Sequence, residues 1–222
     1  MYNYIMNENC ECNCKIYGKG KKKDLLLLEL FKCSGSVGDV ARKKGFDTIS
    51  LDFDEEYEPD ILEDILKWKY KDMNIKPDFI WASPPCETYS PMVYRLYARN
   101  TQTAEPISEK AKIGTKILYK TIEIIKYFLS KNPKMGFVIE NPRGMMRKDK
   151  KIKEFIYNFT YYCNYGDDRT KPTNFFSNYP LKLSDDKCRG TKQVQLIPRI
   201  ERYKIPKKLT AHILDEYLSI TK

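Results

Sequence analysis

Residues 25–30 read Leu-Leu-Leu-Leu-Glu-Leu and run straight into a polar loop, Phe31-Lys-Cys-Ser-Gly35. A short, almost unbroken apolar run is the pattern of a parallel strand buried on both faces of a sheet. Similar runs recur at Thr48–Phe53, at Pro77–Ala82 and at Gly136–Glu140, each stopped by acidic residues or prolines. Between them the apolar period changes. Val37, Val40 and Ala41 predict a helix over Gly35–Lys44, closed by Gly45. Ile113, Ile117, Leu118, Ile122, Ile125 and Leu129 form one stripe of a long helix over Ser108–Ser130. Residues 61–68 read as a short helix or turn, Ile152–Tyr157 as helical, and Thr160–Tyr165 and Thr173–Phe176 as strands. A closing helix over Leu209–Leu218 begins at Pro206. Strands alternating with helices predict an α/β fold: an open, mostly parallel sheet with helices on both faces. Ligands of such sheets bind at the carboxyl ends of the strands.

The chain has 222 residues, enough for one domain at roughly 150 residues each. No apolar run approaches the roughly 20 residues of a membrane span, and the first ten residues lack the basic start and apolar stretch of a signal peptide. The seven cysteines therefore read as reduced thiols of a cytosolic or nuclear protein. The single histidine, His212, excludes mechanisms that need two. Lys and Arg outnumber Asp and Glu by 40 to 30, and a net charge of +10 favours a polyanionic partner, nucleic acid first. Residues 1–23 read as a basic tail. Its Cys10, Cys12 and Cys14 lack a fourth ligand and the usual zinc spacing, so no metal site is expected.

The unusual residues fall at the predicted strand ends. Gly35 and Gly38 let the chain turn sharply after the first strand and let a ligand approach the backbone. Asp52 at the tip of the second strand suits the hydroxyls of a ribose, and Phe53 suits a purine face; Asp64-Ile65 could continue that cradle. Ala82-Ser-Pro-Pro-Cys86 mounts a cysteine behind two prolines, which hold the thiol in one position as a nucleophile requires. Glu140, at the end of an apolar strand, is placed to hold or donate a proton.

In this order the pieces resemble the DNA (cytosine-5)-methyltransferase family. Phe31-Lys-Cys33-Ser-Gly35 resembles its first loop, with Cys33 in place of a glycine. Pro84-Pro85-Cys86 matches its nucleophile motif, Glu140-Asn141-Pro142 its Glu-Asn motif, and Asp167-Asp168-Arg169-Thr170-Lys171 its Gln-x-Arg-x-Arg segment. Ile205–Leu209 resembles the final motif, whose helix returns to the cofactor. The resemblance implies a Rossmann-like S-adenosylmethionine-dependent methyltransferase fold over residues 24–222. Residues 174–204 would serve as a reduced target-recognition segment. S-adenosyl-L-methionine would lie over Phe31, Gly35, Asp52, Phe53, Asp64, Ile65 and Pro84. Cys86 would attack C6 of a cytosine flipped from duplex DNA, Glu140 would stabilise protonation at N3, and Arg169 would contact O2. Arg95, Arg99, Lys171, Lys187 and Arg189 would hold the nucleic acid, with relaxed sequence specificity or with a partner protein supplying it. The same chemistry on RNA or a nucleotide, and a degenerate binding subunit without activity, are the competing readings.

Overall fold

The computed structural model describes residues 25–90, 98–191 and 197–221. The tail with Cys10, Cys12 and Cys14 lies outside them, as does Arg95. The elements follow in the order β1 (Leu25–Leu30), α1 (Ser36–Lys43), β2 (Phe46–Asp52), β3 (Ile61–Leu62), β4 (Phe79–Ala82), α2 (Glu109–Lys131), β5 (Gly136–Pro142), β6 (Ile156–Tyr161), β7 (Pro172–Ser177), α3 (Arg199–Tyr203) and α4 (Lys207–Ile220). Seven strands form one sheet in the order β3-β2-β1-β4-β5-β7-β6. The β3-β2-β1-β4-β5 portion is parallel, and β7 runs antiparallel to both β5 and β6.

The strand period of two sorts side chains between two cores. Leu28, Leu30, Ile80, Ala82, Phe137, Ile139 and Phe176 pack on one face with Leu118, Ile122, Ile125 and Phe128 of α2. Leu27, Phe79, Trp81, Val138 and Phe175 pack on the other face with Val37 and Ala41 of α1 and with Leu209, Ile213, Leu214 and Tyr217 of α4. The central strands are mostly apolar because neither face meets water. Ser108 caps α2, its hydroxyl accepting from the Ala111 amide. Ile113 lies on the expected stripe yet is exposed.

Several expectations change. Residues 61–68 hold a two-residue strand, β3, followed by turns. Ile152–Tyr157 is a single tight turn over Ile152–Glu154 that enters β6, and the strand expected at Thr160–Tyr165 ends at Tyr161. Edge-strand β6 leaves Ile156 and Tyr157 exposed, which blurs the alternation that marks a strand. Residues 174–177 of the expected recognition segment belong to β7, a strand of the main sheet. Cys163 and Cys188 form a disulfide rather than standing as separate thiols.

Candidate active site

From β1 the chain passes on one side to β2 and β3, and later returns on the other to β4 and β5. A crevice opens at such a reversal, outside the carboxyl ends of the strands. Here it is a cavity of about 350 Å³. Its walls are the loop after β1 (Phe31–Ser34), the tip of β2 (Asp52, Phe53, Asp54), the loop after β4 (Ser83–Glu87) and the end of β5 (Glu140, Pro142), with Ile117, Lys171 and Ile205 completing it.

The β1 loop is bent by left-handed backbone at Phe31 (φ 67), Cys33 (φ 43) and Gly35 (φ 65). Cys33 thus occupies a conformation that costs a side-chain-bearing residue about 1 kcal/mol. Its amide donates to Asp52 Oδ2 at 2.9 Å, and Asp54 N–H donates to Asp52 Oδ1 at 3.2 Å. Asp52 therefore braces the first loop while lining the cavity. Lys32 Nζ crosses to the Tyr57 carbonyl at 2.7 Å and closes one rim. Phe53 stands 71 % exposed beside it, an aromatic face open to a planar ligand. Asp64 and Ile65 do not line the cavity. Asp64 accepts from the Leu66 amide in its own turn at 2.9 Å, and Ile65 is buried in the core, so the expected extension of the cradle is not formed.

The loop that carries Cys86 is held from both sides. Asn141 Nδ2, fully buried, donates to the Pro84 carbonyl at 3.0 Å. The Tyr89 and Ser90 amides both donate to the Cys86 carbonyl at 2.9 Å. Burial pushes the Cys86 thiol above its ordinary value; Lys171 opposes that rise and Glu140 adds to it. Glu140 is 5 % exposed, accepts from the Tyr162 hydroxyl at 3.1 Å and lies 4.0 Å from Lys171 Nζ.

The arginine expected at the base is elsewhere. Arg169 is 5 % exposed and does not line this cavity. Its guanidinium grips Asp167 through Nε (2.6 Å) and Nη2, and donates to the carbonyls of Glu201 (2.7 Å), Arg202 (3.1 Å) and Lys204 (2.8 Å). It pins the segment before α4 to the turn before β7. Lys171, expected on nucleic acid, supplies the cation inside the cavity. Arg99 is also corrected: it is 3 % exposed, stacks on Tyr89 at 3.6 Å, and donates to Thr88, Thr115 and the Ala104 and Ala111 carbonyls. A guanidinium so used cannot reach a phosphate. Lys187 and Arg189 remain exposed on the loop that the disulfide tethers. The last segment does return to the cavity: the Ile205 amide donates to Ser36 Oγ at 3.1 Å. Sequence reasoning missed Tyr57, which lines the cavity, and Tyr162, which carries no motif signal.

Parallel strands in the order 3-2-1-4-5, extended by an antiparallel seventh strand, with an acidic tip at the end of β2, define a Rossmann-like α/β fold. A Frog virus 3 (isolate Goorha) protein named "Probable DNA (cytosine-5)-methyltransferase" is 32% identical over 147 residues, 64% of this chain and 64% of the relative's own length. The likeness to DNA (cytosine-5)-methyltransferases carried by the motifs thus extends over much of the chain, which spans less than two thirds of that relative. Among solved structures, Entamoeba histolytica methyltransferase EhMeth matches with TM-score 0.45 and 13% identity over 78% of this chain and 58% of its own. A mutant of Spodoptera frugiperda DNMT2 matches with TM-score 0.48 and 18% identity over 73% and 54%. No protein-family model matches the chain.

Proposed function

We propose that this protein transfers a methyl group from S-adenosyl-L-methionine to C5 of cytosine in DNA through a covalent bond between Cys86 and C6. One observation carries the reading: Cys86, Glu140 and Lys171 line the same cavity as Phe31, Asp52, Phe53 and Asp54. A nucleophile with its acid–base partner and a nucleoside cradle are thereby within one molecule's length.

The donor set fits the cofactor. Asp52 and Asp54 offer carboxylates to ribose hydroxyls, and Phe31 and Phe53 offer ring faces to adenine. Bound there, the cofactor supplies an electrophilic methyl group. The chain's own residues do the rest. Cys86 Sγ, as thiolate, adds to C6, and Glu140 holds a proton at N3, so the electron pair collects at C5. Lys171 faces the same base and draws charge from it, the part first expected of Arg169. After the methyl group is on C5, loss of the C5 proton restores the double bond and expels Cys86 Sγ. Ile117 and Pro142 help to exclude water. Lys187 and Arg189, exposed on the loop before α3, are placed for phosphates rather than base edges.

The test is methyl transfer from isotopically labelled cofactor to mixed DNA and RNA, followed by digestion to nucleosides and mass spectrometry. Labelled 5-methylcytosine in DNA, abolished by Cys86→Ala, is expected. Label in RNA alone would move the substrate; label that survives Cys86→Ala would overturn the covalent step.

A further inference from the structure

The turn over Tyr162–Tyr165 carries a side chain that nothing in the motifs assigns. Tyr162 is fully buried, yet it touches both Glu140 of β5 and Lys171, the residue before β7. Its hydroxyl donates to Glu140 Oε1 at 3.1 Å, and Lys171 Nζ lies over its ring, 4.7 Å from the centroid. Arg169, the cation that pins the neighbouring turn, lies over the same ring at 5.3 Å. Resting on the methyltransferase reading above, we propose that Tyr162 is the positioning residue of the site: its hydroxyl fixes the Glu140 carboxylate and its ring seats Lys171, so that both face the base bound against Cys86.

Three physical points support this. Burial, reinforced by Glu140, keeps the Tyr162 hydroxyl protonated far above the ordinary phenol range, so it acts only as a donor to the carboxylate. A carboxylate 5 % exposed needs such a donor, because a buried charge without one is costly. And Lys171 Nζ lies 4.0 Å from Glu140 and donates to the Arg202 carbonyl at 3.3 Å, so the ring face supplies a further cation contact. Tyr162 does not reach the cavity lining itself, which makes its effect indirect.

The experiment uses the full chain and measures single-turnover methyl transfer to duplex DNA, with cofactor and DNA affinities measured separately by calorimetry. Tyr162→Phe keeps the ring and deletes the hydroxyl. The transfer rate is expected to fall about a hundredfold, the effect of an acid–base group misplaced by about 1 Å, while both affinities stay unchanged. In a Glu140→Gln background the same substitution is expected to cost little more, since the two residues act as a unit. Should the Phe variant fail to fold, 3-fluorotyrosine at position 162 retains ring and hydroxyl and changes donor strength alone. An altered pH dependence of the rate then supports the role, and an unaltered one overturns it. A wild-type rate for Tyr162→Phe, or an equal loss in both backgrounds, overturns it as well. A wild-type chain that methylates no nucleic acid removes the methyltransferase reading and this inference together.

Discussion

The Met145 amide donates to the Tyr89 carbonyl at 2.8 Å, joining the turn after β5 to the loop that carries Cys86. The contact exists because residue 144 has no side chain: a Cβ on Gly144 would collide with the Tyr89 carbonyl oxygen. The loop that carries Cys86 and the turn that follows the Glu140 strand are locked together by that close approach.

Gly144→Ala must therefore push the Cys86 loop away from the end of β5. A displacement of about 1 Å costs about a hundredfold in rate, and overpacking costs about 1–3 kcal/mol of stability. Transfer rate and thermal unfolding, measured on one preparation, check both. Retained activity would mean that the loop shifts without moving Cys86.

The Cys86 thiol is raised by burial, relieved by Lys171 and raised further by Glu140. Lys171→Met removes the relief and is expected to slow alkylation of Cys86 at fixed pH. Glu140→Gln removes a negative charge and is expected to speed it. Iodoacetamide labelling across pH 6–10, read at the Cys86 peptide by mass spectrometry, distinguishes the two directions. Changes of the same sign would refute the electrostatic account.

Glu29 is buried beneath the start of α1, accepting from the Gly38 amide at 3.0 Å, and burial raises its carboxyl to about 8. A raised acid keeps its proton in the folded state while the unfolded chain releases it, so this group's contribution is complete below the unfolded value of 4.5 and is lost as pH rises toward about 8. Stability should fall across that window by up to about 1.4 kcal/mol per pH unit. Glu29→Gln keeps the acceptor and should flatten the slope. Denaturant titrations at several pH values would show this; an unchanged slope would assign it to other groups.

The Cys163–Cys188 disulfide staples the exposed loop with Lys187 and Arg189 to the turn that leads into Lys171. Its sequence separation of 25 places its stabilisation at about 3.5 kcal/mol in the chain-entropy picture. Cys188→Ser should lower Tm by about 7–14 °C. Calorimetry with and without reductant checks it, and reductant should have no comparable effect on the variant.

The sheet, the two long helices and the stations of Cys86 and Glu140 were legible in the residues themselves. Those features depend on local period and on side chains mounted at strand ends, so neighbouring residues specify them. Which cation enters the cavity was not legible. Arg169 and Lys171 stand two residues apart, and the choice turns on Asp167 and on carbonyls of Glu201, Arg202 and Lys204 that fold back onto Arg169 from far along the chain. Arg99 reads as a surface base until Thr88, Thr115 and Tyr89 enclose it. Asp64 reads as a ligand until its own turn takes its carboxylate. Tyr162 had no signal at all, since its role exists only where two strands and one buried ring meet. A spacing fixes which residues are neighbours along an element, whereas the partner that satisfies a buried charge is chosen by packing between elements distant in sequence.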